Sequence, residues 1–311
     1  MSDIIRVTGL TKHFKDVIAV DDLSFSVREG DIYGFLGQNG AGKSTTIRML
    51  LTLIEPTHGH IEVFGMDLRT HRKQILRQTG AIIERPDLYK YLTAYENISL
   101  FASISGVKIP KSRLMEQLEV VDLAGRAHSK VKTFSQGMKQ RLGIAIALIH
   151  NPRLLILDEP TNGLDPQGIA DMRHLILSLS RNHKKTILVS SHLLNEIELI
   201  ANRMLIIDRG KKIIEGNVQD LFDPSNMVVE LQTINPERTW EMIKESKWKP
   251  SLRNHGNGKF IFEMNKMSIP EFNRELVEKG IEVLQIQPRH SLEDYFLSLT
   301  TGQPHVETIA N

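Results

Sequence analysis

An eight-residue stretch, GQNGAGKS at 37–44, constrains this chain more than any other feature of its sequence. It fits the spacing G-x-x-x-x-G-K-[ST], in which glycines let successive backbone N–H groups turn inward around phosphate oxygens. A predicted strand at 31–36 precedes it, and a helical pattern at 45–54 follows. Because the positive end of that helix faces the same anion, we expect Lys43 to reach the β- and γ-phosphates and Ser44 to ligate Mg²⁺. The alternative, a glycine-rich turn that matches by chance, is disfavoured by the flanking strand and helix.

A second stretch, LLILDEP at 154–160, is an all-apolar strand that ends in two acids. Such a strand is expected at the centre of a parallel sheet that is covered on both faces. Asp158 is expected to hold the Mg²⁺ shell. Glu159 is expected to orient and polarise the attacking water, because phosphoryl transfer depends mainly on positioning and charge stabilisation. The alternative is two ordinary surface carboxylates at the end of a strand.

Composition limits the classes of protein to which the chain can belong. With 311 residues, of which 41% are apolar and 24% charged, it is long enough for two ordinary globular domains. It has no cysteine, which excludes disulfides and thiolate metal sites and fits a reducing compartment. A net charge of +2 is too small to indicate the concentrated basic face of a nucleic-acid-binding protein, so no nucleic-acid partner is expected.

Neither a targeting segment nor a membrane-spanning segment is predicted. The first residues mix acids and bases and contain no long apolar core, unlike a signal peptide. The longest strongly apolar run, 142–149, is far shorter than the ~20 residues of a spanning helix. If the chain serves a membrane, the spanning part is therefore expected to be another chain.

The hydrophobic pattern predicts an α/β domain followed by a smaller α/β domain. Strands of the first domain are predicted at 4–7, 23–27, 31–36, 60–64, 81–83, 154–157, 186–190, 204–208 and 211–215. Its helices are predicted at 45–54, 169–181 and 193–201 and over most of 92–148. A turn cluster at 222–226 marks the expected boundary, which gives domains 1–224 and 225–311. The second domain is predicted to have strands at 227–232, 259–263 and 281–286 and helices at 269–279 and 292–299.

A third stretch, FSQGMKQR at 134–141, separates this chain from the many other proteins with a P-loop. Ser135 can cap the helix that follows, and Gly137 permits close backbone approach at the positive end of that helix. Read alone, the stretch is only a helix cap. Because it lies between a P-loop and an acid-terminated strand, it resembles the signature peptide of the ABC ATPase family, which usually reads LSGGQ.

The resemblance to ABC ATPases implies both a fold and an assembly. The fold is an α/β P-loop nucleotide-binding domain with a RecA-like core, an N-terminal antiparallel β subdomain and a helical subdomain at about 86–150. The C-terminal domain is expected to regulate or stabilise a dimer. In this family the signature surface binds the γ-phosphate of ATP on the partner subunit, so a complete site needs a second copy of the chain. The expected signature residues are Ser135, Gln136, Gly137 and Met138.

Other positions resemble the family one at a time. Phe14 matches the aromatic residue that stacks on adenine, and Asp165 matches a contact across the dimer. His192 matches a histidine that contacts the γ-phosphate and steadies Glu159, although a lone histidine or aromatic residue is more often structural. The residues expected to bind nucleotide are Phe14, Gly37, Gln38, Asn39, Gly40, Ala41, Gly42, Lys43, Ser44 and Thr45. Those expected to be catalytic are Lys43, Glu159 and His192.

One departure from the family pattern indicates which branch of the ABC ATPase family the chain resembles. Where the family has a glutamine after the strand predicted at 81–83, this chain has Glu84, which can ligate Mg²⁺ but lacks an amide donor. The expected metal ligands are Ser44, Glu84 and Asp158. Glu84, the signature variant and the loop at 162–165 resemble the branch that exports bacitracin and lantibiotic peptides. So does the segment at 291–300, which can also be read as a plain amphipathic helix.

The resemblance implies an ATPase that uses ATP and Mg²⁺ to export a peptide antibiotic or similar amphiphilic drug. Its membrane partner is expected to be a permease with about six apolar spans. Residues 86–97 are the expected contact with that permease, at the cytoplasmic face of a bacterial membrane. The alternatives are an exporter of another lipid, drug or polysaccharide, a soluble ABC ATPase without a transporter, and a nonhydrolytic binder. The last two fit poorly, because the chain has one cassette, no heptad run and intact acids at 158 and 159.

Overall fold

The computed structural model of the chain describes residues 2–106, 109–221, 227–256 and 258–289. Within these residues the strands are β1 (Asp3–Phe14), β2 (Val17–Arg28), β3 (Ile32–Leu36), β4 (His58–Val63), β5 (Met66–Asp67), β6 (Thr79–Ile82), β7 (Leu154–Asp158), β8 (Thr186–Ser191), β9 (Arg203–Asp208), β10 (Lys211–Asn217), β11 (Met227–Thr233), β12 (Leu252–Gly256), β13 (Lys259–Met264) and β14 (Val283–Arg289). The α-helices are α1 (Lys43–Leu50), α2 (Arg72–Leu76), α3 (Ala94–Ile104), α4 (Lys111–Val120), α5 (Gln136–Ala147), α6 (Pro166–Arg181), α7 (Leu194–Glu198), α8 (Val218–Leu221), α9 (Pro236–Glu245) and α10 (Ile269–Glu278).

The chain divides into two compact units, Met1–Val218 and Gln219–Asn311. Each unit has a hydrophobic core of its own. The turn cluster predicted at 222–226, the final segment at 291–300 and the helix predicted at 292–299 lie outside the described residues. The α/β class predicted from the sequence is confirmed.

A six-stranded sheet forms the centre of the first unit, in the order β10-β9-β3-β8-β7-β6. Its strands are parallel except for the edge strand β10. Strands β3 and β7 are buried along their whole length, as expected from their apolar sequences. At the carboxyl ends of these strands, Leu36 pairs with Ser191 and Asp158 with Ser190. This edge of the sheet therefore collects the segments that the sequence analysis singled out.

A four-stranded antiparallel sheet, in the order β2-β1-β4-β5, shares its core with the central sheet. Phe25 of β2, for example, stacks on Phe35 of β3 at 5.6 Å between ring centroids. Strands β1 and β2 have twelve residues each and are longer than the strands predicted at 4–7 and 23–27. Beyond the apolar residues at 4–7 and 23–27, β1 and β2 continue to pair through partly exposed residues and several shifts of register. These segments therefore lack the regular alternation of apolar and polar residues by which a strand is predicted.

A buried polar network joins the two sheets. Arg203 of β9 lies 3.1 Å from Asp31 and 3.5 Å from Glu215 of β10. The Tyr33 hydroxyl donates to Glu215 at 2.8 Å, and the backbone N–H of Ser26 in β2 donates to the same carboxylate at 3.2 Å. Burial, and next the neighbouring Glu215 carboxylate, raise the pKa of Tyr33 well above its ordinary value. The tyrosine is therefore a neutral hydrogen-bond donor at any physiological pH.

Helices α3, α4 and α5 occupy most of 92–148, as predicted. A capping box starts α3: the Glu96 N–H donates to Thr93 Oγ1 at 3.1 Å, and the Thr93 N–H donates to the Glu96 carboxylate at 2.7 Å. Helix α5 packs closely against the chain that leaves β6, because a Cβ on Gly143 would lie 2.7 Å from the Pro86 ring. These contacts fix the helical segment against the central sheet.

From Met227 to Arg289, the described residues of the second unit follow the order β-α-β-β-α-β and form a sheet in the order β12-β13-β11-β14. This is the split βαβ arrangement that is also called ferredoxin-like. Its core lies between the sheet and the helices, where Val229 of β11 pairs with Phe262 of β13 and the Phe262 ring lies 4.7 Å from that of Phe272 in α10.

Several elements differ from the sequence prediction. Helix α9 and strand β12 were not predicted. Pro236 occupies the first turn of α9, and four of the five β12 residues are exposed. The short elements α2, β5 and α8 were not predicted either. Helix α1 ends at Leu50 rather than at 54, since Thr52 adopts a left-handed conformation with φ of 57°. Helix α7 is shorter than the predicted 193–201.

Candidate functional site

The glycine-rich loop leaves the carboxyl end of β3 and closes around its own lysine. Lys43 Nζ donates to the carbonyl oxygens of Gly37 at 2.7 Å and Gln38 at 3.2 Å, and the residue is only 5% exposed. Gly42 has a φ of 104°, and a Cβ there would come within 2.5 Å of the Ala19 carbonyl oxygen. A buried ammonium group thus lies at the N-terminal end of α1, an arrangement that favours a bound phosphate.

Glu159 follows β7 directly, and its carboxylate is held from two sides. Oε1 lies 3.2 Å from Lys43 Nζ, and Oε2 lies 2.7 Å from His192 Nδ1. The residue has a φ of 50°, in a region that is uncommon for glutamate, and its N–H donates to Ser190 Oγ at 3.0 Å. The turn after β7 therefore places this carboxylate between the P-loop and the residues that follow β8. The three residues expected to be catalytic form one cluster.

Asp158, the last residue of β7, is 1% exposed. Its Oδ1 accepts a hydrogen bond from Ser190 Oγ at 2.5 Å. Its Oδ2 is buried and has no hydrogen-bond partner in the part of the chain that the structure describes. A buried carboxylate oxygen without a partner is costly, so this atom fits a site that a bound cation completes.

The residues around Asp158 suit Mg²⁺, the cation that the family resemblance implies. Mg²⁺ prefers oxygen ligands and is commonly bound by one or two carboxylates together with substrate phosphates and water. Asp158 supplies a carboxylate, and Ser44, in the first turn of α1, supplies a hydroxyl. They are two of the three residues that we expect to hold the ion.

Ser135 and Gly137 lie at the N-terminal end of α5. Ser135 Oγ accepts a hydrogen bond from the Met138 N–H at 3.2 Å and caps the helix, as the sequence predicted. A Cβ on Gly137 would meet nothing within 4 Å except Leu164 Cδ2, at 3.9 Å. The packing of the chain itself therefore does not require glycine at this position. Neither residue belongs to the cluster around Glu159.

Phe14 and Asp165 lie at the ends of other elements. Phe14 ends β1 and is 45% exposed, with Lys12 Nζ 4.9 Å from the centre of its ring. Asp165 is the N-cap of α6 and accepts a hydrogen bond from the Gly168 N–H at 3.0 Å. The sequence had indicated only a contact between subunits for Asp165, and the structure adds a role in starting α6.

Glu84 follows β6 at the place where the family usually has glutamine. Its Oε1 lies 2.5 Å from Nη2 of Arg48 in α1, and both side chains are exposed. Its φ is 57°. The carboxylate is thus paired with an arginine and does not belong to the cluster around Glu159. Its predicted role as a Mg²⁺ ligand stays a prediction.

The remaining predicted residues lie on the loop, on the first turn of α1 and at the start of α5: Asn39, Gly40, Ala41, Thr45 and Gln136. Two further residues, Ser190 and Arg48, were missed by the sequence analysis. Ser190 links the Asp158 side chain to the Glu159 backbone. Its only sequence signal was a small polar residue at the end of an apolar strand.

Among the described residues, no helix has both the length and the apolar character needed to cross a membrane.

Comparison with known proteins places these features in a family. The sequence model described as "ABC transporter" matches residues 20–162. The bacitracin transport ATP-binding protein BcrA of Bacillus licheniformis is 45% identical, over 97% of this chain and 99% of that protein. The lantibiotic transport ATP-binding protein SrtF of Streptococcus pyogenes is 40% identical, over 71% of this chain and 96% of its own length.

A solved structure gives the same result for the fold. The dimeric structure of MJ0796, described as a bacterial ABC transporter cassette, is 25% identical and superposes with a TM-score of 0.63. The match covers 69% of this chain and 99% of that one. The C-terminal part of this chain therefore extends beyond the matched cassette.

Proposed function

The chain belongs to the ABC transporter ATP-binding family, and we propose from this premise that it powers export of a bacitracin-like or lantibiotic-like peptide. As a member of that family it is an ATPase that hydrolyses ATP, and cassettes of the family dimerise and work with transmembrane subunits. The observation that carries the cargo proposal is the 45% identity to a bacitracin transport protein over nearly the full length of both chains.

We infer a hydrolytic role for each member of the buried cluster. The phosphates of ATP would draw Lys43 Nζ away from the carbonyl oxygens of Gly37 and Gln38, since a charged phosphate oxygen is a stronger acceptor than a carbonyl. That movement would free Oε1 of Glu159, while His192 continues to hold Oε2 at 2.7 Å. The freed oxygen could then accept a hydrogen bond from water and take up its proton as the water oxygen attacks the γ-phosphorus and the bond to the β-phosphate oxygen breaks.

Asp158 and Ser44 would hold Mg²⁺ in this site, and Glu84 would be the third ligand from the protein. The bound ion supplies positive charge that stabilises the negative charge developing on the phosphate oxygens. Asp158 is suited to this role because its Oδ2 is buried and has no partner among the described residues. Ser190 fixes the other carboxylate oxygen and so sets the orientation of the group.

A second copy of the chain would complete each site. Ser135 and Gly137 lie at the positive end of α5, with unfilled space around the Gly137 Cα. We propose that this space receives the γ-phosphate of ATP bound to the partner, so that two MgATP molecules lie between two subunits arranged head to tail. Hydrolysis at Glu159 would then release the pair.

The surface at 86–97 is the proposed contact with the permease. Two of its aromatic residues are exposed, Tyr89 at 53% and Tyr91 at 81%. A largely apolar cavity of about 220 Å³ is lined by Phe101 and Ile146, among others, and the ring of Phe101 lies 6.2 Å from that of Tyr89. Exposed aromatic side chains next to an apolar cavity are typical of a protein-binding surface. This contact would hold the chain at the cytoplasmic face of the membrane. The second unit would act as a regulatory or dimer-stabilising module.

Resistance testing addresses the cargo directly. The chain would be expressed together with its permease in a bacterium sensitive to bacitracin and several lantibiotics. We expect the inhibitory concentration of at least one of these peptides to rise, and we expect the rise to be absent with Glu159→Gln. Unchanged inhibition by all of them would contradict peptide-antibiotic export and favour export of another lipid, drug or polysaccharide.

A further inference from the structure

The Glu84 carboxylate is held by one residue that the family resemblance does not account for. Arg48 Nη2 donates to Glu84 Oε1 at 2.5 Å. In the described part of the chain, no other cation lies within ion-pair distance of Glu84, and the Arg48 side chain makes no other hydrogen bond. The two residues are 36 positions apart in sequence, so the fold, and not local geometry, brings them together.

Arg48 lies on the same helix as the expected Mg²⁺ ligand Ser44. Residues four apart lie on one face of an α-helix, about 6 Å apart along its axis. Arg48 is therefore one turn further along α1 than Ser44 and faces the same way. The Glu84 carboxylate, when it is paired with Arg48, is therefore held beside α1 but one helical turn away from Ser44.

Glu84 has an unusual backbone conformation. The chain leaves β6 at Ile82, and Glu84 takes a φ of 57°, which is uncommon for a residue with a long side chain. Residues in such conformations are often found at functional sites. Both the turn and the arginine thus determine where the carboxylate lies.

We propose that Arg48 is a positioning residue that holds Glu84 away from the Mg²⁺ site until MgATP binds. The inference rests on the proposed role of Glu84 as a Mg²⁺ ligand. When MgATP binds, the Glu84 carboxylate would leave Arg48 and ligate Mg²⁺. The strength of the contact with Arg48 would therefore set the Mg²⁺ concentration at which this change takes place.

The exposure of the pair suits an exchange of this kind. The Arg48 side chain is 42% exposed and that of Glu84 is 64% exposed, so solvent screens the attraction and the pair can be broken easily. A glutamine in place of Glu84 could still accept a hydrogen bond from Arg48 but would carry no opposite charge, so Arg48 would hold it less strongly than the carboxylate. Arg48 should therefore change the Mg²⁺ concentration needed for ATP binding only when residue 84 is a glutamate.

The test measures ATP binding rather than hydrolysis. The full-length chain would carry Glu159→Gln to prevent turnover, and binding of a fluorescent ATP analogue would be followed at increasing Mg²⁺ concentration. Arg48→Gln is expected to lower the half-saturating Mg²⁺ concentration by about two- to fivefold, the effect typical of an exposed ion pair. Arg48→Lys, which keeps the charge, should stay close to the original value. An unchanged thermal midpoint would show that Arg48→Gln leaves the fold intact.

A double-mutant cycle separates positioning from a general charge effect. In a Glu84→Gln background, which by itself should raise the half-saturating Mg²⁺ concentration, Arg48→Gln should have no further effect. The proposal is overturned if Arg48→Gln changes nothing with Glu84 present, or if it has the same effect in both backgrounds. It is also overturned if Glu84→Gln leaves the Mg²⁺ dependence unchanged, because Glu84 then does not reach the metal. The ATPase assignment would survive each of these results.

Discussion

Glu159 is the residue whose surroundings say most about the reaction. Its two carboxylate oxygens have different partners, Lys43 on one side and His192 on the other. The lysine is the partner that we expect the β- and γ-phosphates of ATP to attract. The same carboxylate can therefore stay in place through His192 while one of its oxygens becomes available to water.

The Glu159→Gln variant tests this reading. We expect ATP to bind with unchanged affinity, because the P-loop is untouched, and the hydrolysis rate to fall by about 10²–10⁴-fold, as it does when a general base is lost. Release of inorganic phosphate measures the rate, and a fluorescent ATP analogue measures binding.

A matched control is Glu119→Gln, which makes the same change on the exposed surface of α4 and should leave both measurements unaltered. Hydrolysis at the original rate in Glu159→Gln would show that another residue activates the water.

Sequence reasoning predicted candidate site residues within contiguous motifs and missed residues that reach the candidate site only through the fold. Lys43 and Glu159 were predicted because each lies in a short motif that specifies both the residue type and the local backbone conformation. Ser190 lies 31 residues from Glu159, and Arg48 lies 36 residues from Glu84. Their contacts arise only when β7 pairs with β8 and when α1 packs beside the end of β6. No local pattern contains that information.

At the scale of elements, the start of α5 has open space beside Gly137 that no other part of the chain fills, among the residues that the structure describes. Gly137→Ala would place its methyl group 3.9 Å from Leu164 and near nothing else within 4 Å. We therefore expect the thermal midpoint of the monomer to stay the same or rise slightly, since alanine favours helix more than glycine does. In a Glu159→Gln background, the dimer formed with MgATP should be weakened roughly ten- to hundredfold, because the methyl group would crowd the bound phosphate.

Gly143→Ala provides the contrasting change on the same helix. Its Cβ would lie 2.7 Å from the Pro86 ring, so overpacking should lower the free energy of unfolding by about 1–3 kcal/mol. Size-exclusion chromatography with MgATP and thermal denaturation distinguish the two variants. Dimerisation of Gly137→Ala at the original affinity would remove α5 from the proposed nucleotide site.

The contact between His150, three residues beyond the end of α5, and Thr79 of β6 is expected to contribute to the pH dependence of stability. His150 Nε2 lies 3.1 Å from the Thr79 carbonyl oxygen, and burial, with a smaller effect of Lys185, lowers the His150 pKa below its ordinary value. Because the folded state holds this histidine neutral, the unfolded state takes up protons first as the pH falls below about 6.5. The free energy of unfolding should therefore decrease from that pH downward, until the pH reaches the lowered pKa.

Urea denaturation at a series of pH values measures this effect. His150→Gln keeps a side-chain donor but cannot titrate, so the slope of stability against pH between 6.5 and the lowered pKa should become smaller. An identical slope in the variant would assign the pH dependence to other groups.

Element boundaries were predicted less well than element types, for physical reasons that differ between cases. The central strands were found because burial on both faces leaves unbroken apolar runs. Strands β1 and β2 extend far beyond their apolar cores because antiparallel pairing satisfies the backbone whatever the side chains are. Helix α9 was missed although Pro236 in its first turn is a typical signal for the start of a helix. The type of an element follows from its periodicity, whereas its ends follow from backbone pairing and capping.

At the scale of the whole molecule, the catalytic cluster and the signature belong to different parts of one unit. The cluster stands at the carboxyl edge of the central sheet, and the signature caps α5. The proposed dimer resolves this separation by supplying each cluster with the signature of the other subunit. The solved cassette dimer to which this chain is similar is matched over 99% of its length by 69% of this chain. We therefore expect every residue that forms the two nucleotide sites to lie in the first unit.

Removal of the second unit tests that conclusion. The unit Met1–Val218 has its own core and contains every residue assigned to the site, whereas the second unit has a separate core around Phe262. A chain truncated after Val218 should therefore bind the fluorescent ATP analogue with the affinity of the full-length protein. If the second unit stabilises the dimer, the truncated Glu159→Gln chain should need a higher protein concentration to dimerise with MgATP on a sizing column. Loss of all nucleotide affinity, with the fold intact by circular dichroism, would instead mean that the second unit contributes to the site.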